Sequence, residues 1–502
     1  MNTLMQSIDW NALGTLFTYD PKQPLLFSSA LFMFLFLAFT LVYGLLHKQQ
    51  TLRLLFITLF SYYFYYKSSG TCFLLLLIVT ATDWMLGAAI GKARQNADGK
   101  QKARWLVAAS CVVDLGLLAY FKYTNFLAST FASLAGWHFQ TLDIVLPVGI
   151  SFYTFQSLSY TIDIYKGKVE PVKSFLDYAF FVSFFPLLVA GPIVKAHTFI
   201  PQIRRRVVIS STMFATGVAM IAVGLFKKAV ISDYISLNFV DRIFDNPSLY
   251  SGIENLLGLY GYAVQIYCDF SGYSDMAIGI AILLGFHVPL NFNDPYTSTS
   301  VSDFWRRWHI SLSTWLRDYV YIPLGGNRRG KVRTYVNSLI TMLLCGLWHG
   351  AAFNFIIWGL LHGVAVAIHK FSRENIFHHD RHYVSRGWKR WGATIITFHF
   401  VTFCWMIFRM PDMDVCMVML RKIFTDLHPE LFFEIVSSYK EVFILILIGL
   451  ASQWLPRQTS NRLVALLSRK SIIVHALILI VVIYIVIQVK GSDIQPFIYF
   501  QF

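Results

Sequence analysis

Two histidines set in apolar surroundings are the residues of this chain best suited to chemistry. His349 stands in TMLLCGLWHGAAFNFIIWGLLHG between Gly346 and Gly350. His309 lies in DFWRRWHISLSTWLRDYVYIPLGGNRRG, where Trp305, Trp308, Trp315, Tyr319 and Tyr321 alternate with Arg306, Arg307, Arg317 and Asp318. Imidazole accepts a proton near neutral pH, and burial among apolar groups keeps it uncharged and available. A core histidine that only packs is the structural alternative for either residue taken alone. The glycines beside His349 weigh against it, because they admit a second backbone or a ligand, and an ionisable group inside an apolar run is costly to keep. His362, thirteen positions further on, would lie about 140° around a continuous helix and so face away from His349.

One chemistry that such groups would serve is acyl transfer. A thioester is already activated, so an enzyme must supply a base for the incoming hydroxyl and hold both reactants. His349 is expected to be that base, a role worth ~10²–10⁴ in rate, while His309 polarises the carbonyl or positions the acceptor. There is no GxSxG elbow, no HExxH, and no GxGxxG in a strand–turn–helix setting, so serine hydrolase, zincin and dinucleotide-binding readings lack support.

Other polar residues interrupt the apolar sequence between Tyr260 and Gly363, including Gln265, Asp269, Asp275, Asn291, Asn293, Asp294, Asp303 and Arg307. An ionised carboxylate near the bilayer centre costs about 2.5–3.5 kcal/mol, so these groups must pair, face protein or line a wet cavity. Gln265 and Asp269, four apart, share a helix face, and the Ser-Gly-Tyr before Ser274 and Asp275 predicts a helix that is interrupted or tightly packed. A polar knot between helices explains these side chains as well as direct chemistry does. Read as one helix, Asp303 faces Arg307, and Trp305, His309 and Ser313 form a stripe. Pro323, Gly325 and Gly326 end that helix. The turn of Asn327, Arg328, Arg329 and Gly330 offers backbone N–H groups and guanidiniums to a donor's phosphates, although a cytoplasmic loop has the same composition. Histidines 378, 379 and 382 in FHHDRHY, with no thiolates nearby, read as a solvated basic loop and not as a metal site.

The elements that must hold these residues are membrane helices. Of 502 residues 56% are hydrophobic and 14% charged, with a mean hydropathy of +0.55, so water is not the main solvent. Apolar runs approaching bilayer length include Leu25–Leu46, Cys72–Ile90, Trp105–Phe121, Phe175–Val189, Met213–Leu225, Ala351–Ile368, Ala393–Phe408, Val442–Leu455 and Ile472–Ile487. They predict an all-α integral membrane fold of roughly 11 to 13 transmembrane or re-entrant segments. The expected organisation is one domain over 1–502, with N-terminal spans in 25–255, a polar core in 256–369 and C-terminal spans in 391–502. Asp9, Asp20 and Lys22 precede the first long run, which reads as a retained anchor and not a cleavable signal. The six cysteines are scattered and suggest no disulfide framework. The net charge of +15 resides in short connections, which suits membrane topology and not nucleic acid. By the positive-inside rule, Lys92–Arg104, Lys195–Arg206 and Arg328–Arg333 face the cytoplasm, and Lys67–Gly70 faces outward.

Several stretches together carry a resemblance: RLLFITLFSYYFYY, LPVGISFYTFQSLSYTIDIYKG, FFPLLVAGPI, YCDFSGYSDMAIGI, NFNDPYTSTSVSDFWRRWHISLSTWLRDYVYIPLGGNRRG, GLWHG and the terminal FIYFQF. Over nearly its whole length the chain resembles membrane-bound O-acyltransferases, within them the type that serves bacterial alginate, peptidoglycan and cellulose O-acetylation. The resemblance implies a helical fold around a central tunnel, His349 at the family's invariant histidine and His309 at its second active-site polar position. D-alanyl-transferring relatives share RWHxSLS but generally lack PLGGNRRG, which favours acetyl transfer. It further implies acetyl-CoA as donor with no bound cofactor, a place in the bacterial inner membrane among its lipids, and a separate periplasmic SGNH-like acetyltransferase or esterase that completes delivery to the glycan. Acyl transfer to a protein or lipid hydroxyl is an alternative. A proton-coupled transporter using the same Asp and His residues is another, but the paired repeats of such proteins are not evident.

Overall fold

A computed structural model of the chain describes residues 10–21, 23–96, 98–378, 385–489 and 498. Asp9, Lys22, His379, His382 and all of the terminal FIYFQF except Ile498 lie outside the described residues. The chain packs as two compact units, Met1–Val208 and Ile209–Phe502.

The first unit contains α1 (Ala30–Leu45), α2 (Gln50–Ser69), α3 (Phe73–Gln95), α4 (Lys100–Ala135), α5 (Ile150–Tyr165), α6 (Phe175–Ser183) and α7 (Ala196–Ile203). Its aromatic core gathers around Phe185, whose ring centroid lies 5.0 Å from that of Phe60, 5.6 Å from Phe39 and 5.7 Å from Phe64. The apolar run Phe175–Val189 does not continue as one helix. Pro186 would press its ring on the carbonyl four residues back, so α6 ends at Ser183, and the Phe185 N–H donates to Ser61 Oγ at 3.1 Å. Lys67 is buried at the end of α2, where Nζ donates to the Leu16 carbonyl at 2.9 Å and to that of Thr18. Helices α3, α4 and α5 meet at buried polar groups, with Ser110 Oγ 2.9 Å from Asp83 Oδ1 and 3.0 Å from Thr161 Oγ1.

The second unit carries the polar core. Helix α8 (Ser211–Leu225) runs on through a π-helical turn, Phe226–Ser232, which holds Lys227 and Lys228. It packs along α9 (Gly252–Leu283), a helix buried over most of its length. A Ser251–Glu254 capping box starts α9 by satisfying its first donors reciprocally. No interruption occurs at Ser271–Gly272–Tyr273: α9 passes through unbroken. Gly272 serves instead for close approach, since a Cβ there would sit 2.7 Å from the Gly224 carbonyl oxygen of α8. Gly279 and Gly217 repeat the arrangement two turns on, at 2.6 Å.

After α9 come the short helix Val301–Phe304, α10 (Ile310–Leu316), α11 (Lys331–His349), α12 (Phe353–Phe371), α13 (Gly387–Arg409), α14 (Met413–Thr425), α15 (Lys440–Ser452), α16 (Arg457–Leu467) and α17 (Ile472–Val489). Helices α11 and α12 form a hairpin that is close-packed at Gly346, where a Cβ would lie 2.2 Å from the Phe355 carbonyl oxygen and 3.1 Å from Gly359 Cα. Among the described residues six helical stretches are long and apolar enough to cross a membrane: Gln50–Gln95, Lys100–Ala135, Ser211–Asp245, Phe353–Ile376, Gly387–Arg409 and Ile472–Val489.

The loop after α14 is pinned to the start of α9, with the Gly252 and Ile253 N–H groups donating to the Asp426 and Leu427 carbonyls, each at 2.7 Å. On that exposed loop His428 lies between two carboxylates, 2.8 Å from Glu430 Oε1 and 2.8 Å from Asp426 Oδ1. The hydrogen bond to Glu430, then that to Asp426, raise its pKa above the ordinary histidine value. A raised folded-state pKa gives stability that is full below the unfolded value and is lost as pH rises through the folded one. Thermal unfolding of the wild type is therefore expected to lose, as pH rises above the ordinary histidine value of about 6.5, a stabilising contribution that His428→Gln lacks. Equal pH dependence of the two melting temperatures would refute the loop's role.

Candidate active site

His309 is placed by a residue eighteen positions before it. Asn291, buried in the segment after α9, accepts the Ile310 N–H on its backbone carbonyl at 2.9 Å. Its side-chain Oδ1 accepts the Ser311 N–H at 3.2 Å and the Ser311 hydroxyl at 2.8 Å. The first donors of α10, which a helix cannot satisfy itself, are thus capped from outside. The His309 ring adds a third contact, Nδ1 to the same Oδ1 at 3.1 Å. To reach it the backbone turns left-handed, φ 42° and ψ 56°, a conformation that a histidine holds only when its surroundings over-determine it. The expected Trp305–His309–Ser313 stripe therefore does not exist, because residues 305–309 form a turn and not a helix. Asp303 and Arg307 do pair, at 3.2 Å. The fully buried His309 ring meets Phe270 of α9 edge-on at 4.7 Å and Trp348 of α11 at 5.7 Å. Burial pushes its pKa down to about 3, so it is neutral at physiological pH.

His349 arrives from a different direction, as the last residue of α11 before Gly350 turns extended. It is buried within an aromatic box, 5.0 Å from Trp348, 5.2 Å from Trp358 and 5.2 Å from Phe408. Trp348 is therefore the shared wall of the two imidazoles. Gly350 has no room for a Cβ, which would sit 2.0 Å from the Phe355 ring, so this glycine closes the hairpin and seats the box. The break also changes the place of His362. On a continuous helix it would face away from His349, but it stands on α12, and both rings pack on Trp358, His362 at 4.7 Å. Trp305 does not line up with His309 but donates its indole N–H to His362 Nδ1 at 3.2 Å.

The carboxylates of α9 have a different business. Asp269 lies 2.6 Å from Lys228 Nζ and accepts the Ile498 N–H at 2.9 Å; Lys228 also reaches Asp233 at 2.7 Å. Asp275 pairs with Lys227 at 2.8 Å, and Gln265 donates to Ser236 at 2.9 Å. These bonds knot α9 to the chain following α8, the structural alternative open to them from the start. Arg317 pairs with its neighbour Asp318 at 2.7 Å and is largely exposed. Asn327, Arg328 and Arg329 are exposed on a turn pinned by Asn337, whose amide donates to the Gly326 carbonyl at 2.9 Å.

Comparison with known proteins accords with this geometry. Residues 169–410, which include both imidazoles, match the model of the membrane-bound O-acyltransferase family. The protein named "Probable alginate O-acetylase AlgI" of Pseudomonas aeruginosa is 41% identical over 406 residues, 80% of this chain and 75% of that protein. The chain belongs to the membrane-bound O-acyltransferase family. The peptidoglycan O-acetyltransferase of Helicobacter pylori is 37% identical over 356 residues, 66% of each chain. The teichoic acid D-alanyltransferase of Bacillus subtilis is 30% identical over 282 residues, 54% of this chain and 70% of its own.

Three features of this O-acyltransferase escaped the sequence reading. Asn291 was noted only as one polar residue among many, and its partners lie too far along the chain for any local pattern to reveal. Trp348 and Trp358 lie in apolar runs, where nothing in the local pattern marks them out. Lys227 and Lys228 did leave a signal, two adjacent cations inside GLFKKAVIS, which required buried carboxylates as partners. Removing one member of such a group strands the others, at a cost of about 3–5 kcal/mol. Lys228→Met is expected to lower the melting temperature of the solubilised enzyme strongly, and adding Asp269→Asn should recover part of the loss. A single variant as stable as the wild type would mean that the ion group does not hold α8 to α9.

Proposed function

We propose that this O-acyltransferase moves an acetyl group from acetyl-CoA on the cytoplasmic side of the bacterial inner membrane toward the hydroxyls of an extracytoplasmic polysaccharide. The observation that supports it most is the packing of His309 and His349, forty positions apart in sequence, against the same buried indole of Trp348. In this reading His349 takes the proton of the attacking hydroxyl. The hydroxyl oxygen bonds to the thioester carbonyl carbon, the carbon–sulfur bond breaks, and the thiolate leaves and is reprotonated. His309, held by Asn291, orients the acceptor, and the closed aromatic surroundings exclude the water that would hydrolyse the donor.

The exposed turn of Asn327, Arg328 and Arg329 is assigned to the phosphates of the donor, which guanidiniums bind in bidentate fashion. The relatives named for O-acetylation are more similar, over more of the chain, than the one named for D-alanyl transfer, which favours acetyl. Delivery to the glycan is assigned to a separate extracytoplasmic partner of the SGNH type.

In inside-out membrane vesicles given labelled acetyl-CoA, His349→Ala is expected to lower acetyl transfer ~10²–10⁴-fold while inserting and accumulating as the wild type does. Transfer undiminished in that variant would end the assignment of His349. The double variant Arg328→Ala/Arg329→Ala should raise KM for acetyl-CoA and leave kcat nearly unchanged, the signature of lost uniform binding. An unaltered KM would remove the phosphate contact.

A further inference from the structure

The hydrogen bonds around Asn291 determine which nitrogen of His309 carries the proton. A backbone N–H can only donate, so the Ser311 N–H at 3.2 Å identifies the side-chain atom of Asn291 that it meets as the amide oxygen. The other end of the amide then carries the NH₂ group, which donates to Ser274 Oγ of α9 at 3.2 Å. Two independent neighbours thus hold the amide in one orientation. An oxygen accepts and cannot donate, so His309 Nδ1, 3.1 Å from it, must carry the proton. The lone pair of the neutral ring is left on Nε2.

We propose that Asn291 is a positioning residue that locks His309 in its Nδ1–H tautomer, so that Nε2 presents an acceptor and not a donor to the substrate. The inference rests on the assignment of His309 to the reaction given above, and it chooses between the two roles the sequence suggested. A neutral ring with an Nε2 lone pair cannot donate a hydrogen bond to a thioester carbonyl oxygen. It can accept one from a hydroxyl, and in doing so aims that oxygen at the carbonyl carbon. His309 is thereby the site for the acyl acceptor's hydroxyl, and Asn291 acts through it without touching substrate.

The tautomer is measurable without any turnover. In the full-length, detergent-solubilised protein labelled with ¹⁵N-histidine, the His309 ring is assigned by the signals lost in His309→Gln. Its nitrogen shifts are expected to show a protonated Nδ1 and a bare Nε2; the opposite pattern in the wild type overturns the proposal with no variant needed. Asn291→Ala should lose this preference and lower kcat on the order of 10²-fold, as misplacement of a reacting group does, with KM for acetyl-CoA little changed. Asn291→Asp keeps an oxygen at the same place, and Ser274 can donate to it. This variant should retain the tautomer, recover much of the rate, and move the acid limb of the pH–rate profile upward, because a carboxylate favours the imidazolium. A tautomer unchanged in Asn291→Ala overturns the positioning role. A tautomer that follows Asn291 while the rate does not would instead overturn the assignment of His309 to the reaction.

Discussion

A polar group carried into hydrocarbon must find its partner within the protein, because no water is there to supply one. Nearly every distinctive feature of the second unit follows from that demand. Helix α9 brings Gln265, Asp269 and Asp275 into the interior, and α8 answers with Lys227 and Lys228, adjacent residues that reach different carboxylates from one π-helical turn. Adjacent residues on a regular helix point about 100° apart, so two such pairings need the helices close together. Gly217, Gly224, Gly272 and Gly279 provide that closeness, since any side chain at these positions would strike the facing helix.

The same demand explains why the imidazoles are held as they are. His309 cannot be solvated, so its Nδ1 shares the oxygen of Asn291 with the donors of α10, and a single amide both starts a helix and orients a ring. His349 is enclosed by aromatic edges and faces, which tolerate an uncharged imidazole without the cost of burying a charge.

What could be read from the sequence was what depends on composition and short spacing. The helical membrane class followed from the apolar runs, the Asp303–Arg307 pair from its spacing of four, and attention to His349 from its flanking glycines. What could not be read depends on partners distant in the chain. The helix expected through His309 fails because Asn291 caps α10 from outside, and of the two expectations at Ser271–Gly272–Tyr273 it is the tight packing, not the interruption, that holds. His362 was misplaced by treating Gly350 as part of a helix. The Phe175–Val189 run held its own clue in Pro186, which hydropathy alone does not weigh.

The two imidazoles also differ in the helix ends that carry them, and this bears on which can act as base. His309 precedes the first turn of α10, where the backbone dipoles place a partial positive charge; His349 closes the last turn of α11, where they place a negative one. Helix α10 has seven residues and α11 has nineteen, so the favourable field is the more developed of the two. A positive charge that grows on an imidazole during proton transfer is stabilised at the end of α11 and opposed at the start of α10. The proposed division of labour, with His349 as base and His309 as neutral acceptor, therefore has support in the backbone as well as in the side chains. Reversing the roles would set the developing charge against the helix that holds it.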